Sequence, residues 1–110
     1  MAVGFLEIND QETLGLVRPT ILFDDELTIE IDNLTFVLAH VPGETDDHLY
    51  VWIPKKKAVM VGDNFYRSFA NLYAIRGTKF RNPMEWVDSL DKIRLLNAEH
   101  LVPSHSRPIS

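Results

Sequence analysis

Three side chains with metal-binding chemistry follow apolar, strand-like runs in this sequence: Glu44, Asp63 and His105. Glu44 lies in the segment VPGET, Asp63 in VGDN and His105 in PSHS. Carboxylate oxygens and neutral imidazole nitrogens are ligands that zinc accepts, and functional residues are often carried on loops beside rigid elements. The three residues therefore predict a metal site assembled from distant parts of the chain. We expect that site to be incomplete, because the chain supplies no further ligands with comparable context.

Each of these residues also has an ordinary structural explanation. An acid after Pro-Gly is commonly a solvated turn residue, and an Asp after Gly at a strand end commonly caps the following turn. A lone histidine is commonly a satisfied surface residue. The joint occurrence of the three carries the metal interpretation. The remaining histidines lack such context and are interpreted as structural or exposed: His40, His48 and His100.

Apolar patterning predicts a sheet that would position these residues. Residues 27–31 alternate apolar and polar, and the turn Asp32-Asn33 leads into the denser run 34–39, which indicates a hairpin. Residues 49–53 and 58–61 are nearly continuous apolar runs. Such runs are typical of strands covered on both faces, so we expect a layer on each side of the sheet.

The connections and ends of the sheet have their own signals. Pro42-Gly43 suits the central positions of a type II turn and would fix the exit of Glu44. The basic run Lys55-Lys56-Lys57 is expected to be a solvated turn between strands. Residues 64–80 are predicted to be an ordered loop, and 100–102 a short strand leading to His105. Residues 1–26 show no sustained period and are predicted to be an irregular, extended lead-in.

A helix is predicted between that loop and the last strand. Asn82-Pro83-Met84-Glu85 combines an N-cap Asn, Pro at the first helical position and Glu three residues after the cap. The helix is expected to end near Asn97. Its apolar face is expected to pack on the sheet through these residues: Val87, Leu90, Ile93 and Leu96, with Leu95 alongside.

Composition limits the possible functions. The chain has 110 residues, 45% of them hydrophobic, which suffices for one compact core. A net charge of −5, with no clustered cationic face, argues against nucleic-acid binding. No run approaches the roughly 18 apolar residues of a membrane span, and the first residues do not form a signal peptide. The absence of cysteine excludes disulfides and thiolate metal sites.

The order of these segments resembles the C-terminal half of the metallo-β-lactamase fold, and most closely that of alkyl sulfatases. Four segments carry the resemblance: AHVPGET at 39–45, GDNFY at 62–66, NLYAIRG at 71–77 and VPSHSRPI at 102–109. The superfamily usually has His where Glu44 stands, whereas alkyl sulfatases resemble this chain in using Glu. The implied fold is an α/β (α+β) sandwich of four αββα layers. Residues 27–110 would form its C-terminal half, one mixed sheet packed against a helix.

The resemblance implies roles residue by residue. Glu44 would complete a first zinc site, Asp63 would bridge two zinc ions or bind the second, and His105 would bind the second. Arg76 matches a position that holds the sulfate group, and Asn71 could add a neutral donor. The implied activity is hydrolysis of a small-molecule sulfate ester through a metal-activated water. The general-acid histidine expected shortly after Arg76 is missing from the segment up to Arg81, so no residue is assigned to leaving-group protonation.

The His-X-His-X-Asp-His motif of the family's N-terminal half does not occur in this chain. We therefore expect a fragment of a longer protein, inactive alone, whose partner is the N-terminal half or a second copy. Two alternatives stay open. One is another hydrolase of the superfamily, such as a thioesterase or lactonase. The other is a non-catalytic module that buries its apolar sheet by forming a homo-oligomer.

Overall fold

The computed structural model describes residues 15, 17–68, 72 and 79–110. Asn71 and Arg76, the two residues predicted to bind sulfate, lie outside the described residues. Residues 17–25 form neither helix nor strand. The elements that follow are β1 (Glu26–Ile31), β2 (Leu34–His40), β3 (Leu49–Ile53), a short 3-10 helix (Pro54–Lys56), β4 (Ala58–Gly62), α1 (Pro83–Leu95) and β5 (His100–Pro103).

The strands form one five-stranded sheet in the order β1-β2-β3-β4-β5. Neighbours from β1 to β4 are antiparallel, and β5 is parallel to β4. The parallel pair needs a crossover, which α1 supplies. The predicted mixed sheet with one helix is thus confirmed, and it corresponds to half of a four-layer sandwich.

Local signals explain where the elements begin and end. Asp32 and Asn33 have φ of 48° and 61°, the left-handed conformation that a tight hairpin turn requires and that Asp and Asn tolerate. At the start of α1, Asn82 Oδ1 accepts a hydrogen bond from Met84 N at 3.0 Å. Lys57 ends the 3-10 helix with φ of 46°, so the predicted basic turn is a single tight helical turn with exposed side chains.

The core lies between α1 and one face of the sheet. Its buried members are Ala39, Val41, Tyr50, Val59, Val61 and Ile93. The strand residues among these are brought together by the register, which pairs Ala39 with Tyr50 and Trp52 with Val59. Because paired residues point to the same face, alternate residues of each strand form one continuous apolar layer.

The helix face that packs on the sheet differs from the predicted one. Ile93 is buried as expected and Leu96 packs against the core, but Val87, Leu90 and Leu95 are 49%, 38% and 71% exposed. Trp86 and Ser89 take their places. Both of these side chains find polar partners in the loops beneath α1, which allows a serine to lie in the middle of the buried stripe.

The opposite face of the sheet, here called the open face, is apolar and only partly covered. It comprises Leu27, Ile29, Leu38, Leu49, Val51 and Met60. Residues 19–25 border a groove of about 870 Å³ over its β1–β2 side, and Met60 is 41% exposed. A layer was expected on each face of the sheet. Helix α1 covers one face, and the described residues provide no layer over the other.

Candidate functional site

Strand direction brings the three predicted metal ligands to one edge of the sheet. Strands β2 and β4 are each antiparallel to β3, so they run the same way, and β5 is parallel to β4. Glu44, Asp63 and His105 follow the ends of these three strands. The topology therefore positions all three on loops at the same edge.

Asp63 and His105 lie side by side at this edge. His105 Nε2 is 3.3 Å from Asp63 Oδ1, and Ser104 N donates a hydrogen bond to Gly62 O at 3.0 Å. The pairing of β4 with β5 shifts register between Met60 and Gly62, and Gly62 has φ of 54°. This bulge redirects the chain so that Asp63 leaves the strand towards His105.

Glu44 is held by two side chains from later segments. Arg81 donates a hydrogen bond to Glu44 Oε1 and forms an ion pair with it. The Tyr66 hydroxyl donates to Glu44 Oε2 at 3.2 Å. Glu44 is therefore a partly buried, charge-compensated carboxylate, not a solvated turn acid.

Asn64 fixes the backbone of the turn that carries Glu44. Its Nδ2 donates to Val41 O at 2.6 Å, and its Oδ1 accepts from Glu44 N at 3.1 Å. Asn64 O also accepts from Trp86 Nε1 at 3.0 Å, which joins the turn to α1. Asn64 is only 2% exposed, so these bonds form inside the protein.

The turn at Pro42-Gly43 is not the predicted type II turn. Type II requires a positive φ at the glycine, and among the described glycines only Gly62 has one. Gly43 is needed for another reason: a Cβ at this position would lie 2.2 Å from Asn64 Oδ1. Close approach of the Asn64 side chain, not turn geometry, therefore requires glycine here.

The pKa of the Tyr66 hydroxyl is shifted by burial and by the charges of the site. Burial, followed by the charges of Glu44 and Asp63, raises the pKa of Tyr66 from 10.0 to about 12. The Arg81 charge acts in the opposite direction but does not cancel them. The Tyr66 hydroxyl therefore remains protonated at neutral pH and donates its hydrogen bond to Glu44.

The donor set suits a divalent metal, and one oxygen of Asp63 has no hydrogen-bond donor among the described residues. Asp63 Oδ1 is buried and makes no hydrogen bond within the described part of the chain, although His105 Nε2 lies 3.3 Å from it. A buried carboxylate oxygen without a donor is costly unless a cation satisfies it. Two carboxylates and an imidazole match zinc chemistry. No group of three His, Cys, Asp or Glu residues is assembled around one point in the residues described, and Glu44 is paired with Arg81.

The remaining histidines have structural contacts, and three residues for which no role was predicted lie at the site. His40, His48 and His100 make structural contacts, and His48 Nε2 lies 3.0 Å from Val61 O. Phe65 packs against the core. No role was predicted for Asn64 or Tyr66, although both lie in the GDNFY segment, and none was predicted for Arg81. An asparagine directly after a strand-end Gly-Asp was the only local signal available.

A groove of about 390 Å³ lies beside Tyr66, between the 64–68 loop and α1. Its apolar lining includes Phe65, Leu72, Val87 and Leu90. Val87 and Leu90, which were wrongly predicted to pack on the sheet, thus line a surface groove next to the site. No helix in the described part of the chain is long and apolar enough to cross a membrane.

Comparison with known proteins places the chain in a family. Residues 12–105 match the metallo-beta-lactamase superfamily. A linear primary-alkylsulfatase from Pseudomonas sp. is 36% identical over 111 aligned positions, covering 100% of this chain and 21% of the relative. An alkyl/aryl-sulfatase from Saccharomyces cerevisiae is 26% identical, over 87% of this chain and 16% of the relative. The chain thus spans about a fifth of the length of these relatives.

Solved structures show the same fold. The stereoselective inverting sec-alkylsulfatase Pisa1 from Pseudomonas sp. matches 86% of this chain and 16% of its own, with a TM-score of 0.76 and 20% identity. A metallo-beta-lactamase from Pontibacter korlensis matches 84% of this chain and 43% of its own, with a TM-score of 0.65 and 22% identity. The predicted resemblance is confirmed: the chain belongs to the metallo-β-lactamase superfamily and is an alkyl sulfatase-like member of it.

Proposed function

We propose that this chain forms one wall of a zinc-dependent hydrolase site that cleaves sulfate esters. The observation that carries the proposal is the buried, unbonded Asp63 Oδ1, which lies beside His105 and on the same sheet edge as Glu44. Similarity to alkylsulfatases along the whole chain favours sulfate esters over other substrates of the superfamily.

Glu44, Asp63 and His105 would hold the metal ions, two in the complete site. Zinc, when bound, supplies Lewis acidity and lowers the pKa of a water molecule. The chain's own contribution is to fix its ligands: Asn64 holds the backbone at Glu44, and the bulge at Gly62 aims Asp63. Tyr66, protonated at neutral pH, keeps one oxygen of Glu44 oriented.

The substrate would be bound by residues of this chain other than these ligands. Arg76 and Asn71 are proposed to bind the sulfate group, because a planar guanidinium donates two parallel hydrogen bonds to an oxyanion. The apolar part of the ester would lie against apolar loop residues. The groove lined by Phe65, Leu72, Val87 and Leu90 is adjacent to Tyr66 and suits that part.

The remaining ligands would come from a partner that covers the open face. An exposed apolar sheet face tends to associate with another apolar surface. We propose that the N-terminal half of the fold covers it in a longer protein, and that a second copy covers it when this chain is alone. Light scattering on the isolated chain should then detect a homodimer or larger species, which Met60→Lys should dissociate. A stable monomer at micromolar concentrations would contradict self-association.

Zinc binding provides the first test of the function. The metal-free chain should bind zinc weakly in a chelator competition assay, and Asp63→Asn and His105→Ala should each weaken binding about tenfold or more. Asp46→Asn is the matched control, because Asp46 is an exposed acid paired with Lys79. Equal zinc affinity for all four proteins would refute the metal site.

Sulfate release from dodecyl sulfate is the second test. The isolated chain should release none, whereas the protein that contains it together with the His-X-His-X-Asp-His half should be active with zinc. In that protein, Arg76→Ala should lower hydrolysis of the sulfate ester far more than hydrolysis of a carboxylic ester with the same alkyl chain. Equal losses on both esters would favour a thioesterase or lactonase, the second candidate.

A further inference from the structure

Arg81 forms an ion pair with the carboxylate that is proposed to bind metal. Its guanidinium donates to Glu44 Oε1 while the Tyr66 hydroxyl donates to Glu44 Oε2. Both oxygens of Glu44 are thus engaged by the protein. A metal ion that binds Glu44 must therefore compete with a positive charge that is already in place.

Burial distinguishes this ion pair from the surface pairs of the chain. The side chains of Arg81 and Glu44 are 10% and 20% exposed, whereas those of Lys79 and Asp46 are 85% and 71% exposed. Solvent screens the exposed pair strongly and the buried pair much less. The interaction at Glu44 is therefore the one expected to affect the binding of another cation.

Arg81 is also positioned by the fold. Its backbone N donates to Leu72 O at 3.2 Å, and the next residue, Asn82, caps α1. The guanidinium thus extends from the start of a packed helix, so holding it at Glu44 costs less side-chain entropy than at an exposed site. Guanidinium is also always charged at physiological pH.

We propose that Arg81 is an internal counter-ion that occupies Glu44 in the metal-free protein and must be displaced before the metal binds there. This inference rests on the proposed function, because it takes Glu44 to be a metal ligand. Arg81 would stabilise the metal-free fold by neutralising a partly buried carboxylate. It would also lower the affinity of the site for zinc, since two cations at one carboxylate repel each other.

The test replaces the charge and measures zinc affinity and metal-free stability separately. Arg81→Met removes the cation, and Arg81→Gln removes the charge while retaining a polar donor on a shorter side chain. Lys79→Met is the control, because it removes a cation from an exposed pair two residues away. Zinc affinity is measured by chelator competition, and melting temperature is measured in EDTA and in excess zinc.

Both neutral variants should bind zinc about tenfold more tightly than the unmodified chain, a change of about 1.4 kcal/mol. Both should melt at a lower temperature in EDTA and show a larger rise on adding zinc. Lys79→Met should match the unmodified chain in each measurement. If Arg81→Met does not fold in EDTA, Arg81→Gln decides the result.

Two outcomes would overturn the inference, and they have different meanings. If the unmodified chain binds zinc and Glu44→Gln weakens binding, but both Arg81 variants bind equally or less tightly, then Arg81 supports the ligand and does not compete with metal. If no protein binds zinc, the proposed metal site fails and the inference fails with it.

Discussion

Asn64→Ala should destabilise the protein more than any exposed polar substitution, because one amide supports two backbone groups of the Glu44 turn. Truncation removes the donor to Val41 O at 2.6 Å and the acceptor for Glu44 N at 3.1 Å. Val41 is fully buried, so water does not readily replace the lost donor. The Gly43 backbone also packs directly against this amide, so its removal leaves a void.

The magnitude follows from those two groups. A buried polar group left without a partner costs about 1–3 kcal/mol, and Val41 O belongs in the upper part of that range because it is fully enclosed. The N–H of Glu44 is closer to solvent and should cost about 1 kcal/mol. With about 2–3 kcal/mol for Val41 O, the sum is roughly 3–4 kcal/mol, a large share of the 5–15 kcal/mol by which a domain is usually stable.

Urea unfolding followed by tryptophan fluorescence would measure this loss, since Trp86 donates to Asn64 O and reports on the same region. Asn33→Asp is the control: Asn33 is exposed, and Asp tolerates its φ of 61°. The control should change the free energy of unfolding by less than about 0.5 kcal/mol. A loss below about 1 kcal/mol for Asn64→Ala would show that the amide does not support the turn.

Three further predictions follow from single contacts. Tyr66→Phe in EDTA should cost about 0.5–1.5 kcal/mol through the lost bond to Glu44. The pKa of Tyr66 is raised from 10.0 to about 12, so the stabilisation by its hydroxyl is complete below pH 10 and is lost as pH rises towards 12. If the free energy of unfolding depends on pH in the same way in Tyr66→Phe and in the unmodified chain, this prediction is contradicted. Gly62→Ala should cost about 1–3 kcal/mol, because φ is 54° and the new Cβ would lie 2.6 Å from His48 Nε2; thermal melting checks it, and a gain in stability would refute the strain. Asn82→Ala should cost about 1 kcal/mol by removing the cap bond to Met84 N, and a circular dichroism melt equal to that of the unmodified chain would exclude the cap.

The elements could be predicted from sequence because their signals are local. Alternation over residues 27–31 and the Asn82-Pro83 start each lie within a few residues of the element they define, and both predictions are confirmed. Convergence of the ligand loops also follows once the strands are ordered, because β2, β4 and β5 must run in one direction. None of this required knowledge of which side chains touch.

The predictions of the buried helix face and of the turn type were wrong for the same reason. Apolar spacing favoured Val87 and Leu90, but Ser89 donates to Pro42 O at 2.6 Å and so occupies the buried stripe. Likewise, Gly43 is required by the side chain of Asn64, which lies 21 positions later in the chain. Hydrophobic periodicity cannot predict the burial of a polar residue whose hydrogen-bond partner is distant in sequence.

The Glu44–Arg81 pair extends this reasoning from packing to function. The two residues are 37 positions apart, and the VPGET segment, on which the proposed role of Glu44 as a ligand rests, contains no sign of a competing cation. A ligand motif specifies which atoms can bind metal, whereas the fold decides what neutralises those atoms before metal arrives. Because a partly buried carboxylate needs a positive partner in either state, Arg81 and the proposed metal would meet the same electrostatic requirement. If Glu44 binds zinc as proposed, the zinc affinity of the site depends on how much more strongly Glu44 binds zinc than Arg81, and the ligand residues alone do not determine that difference.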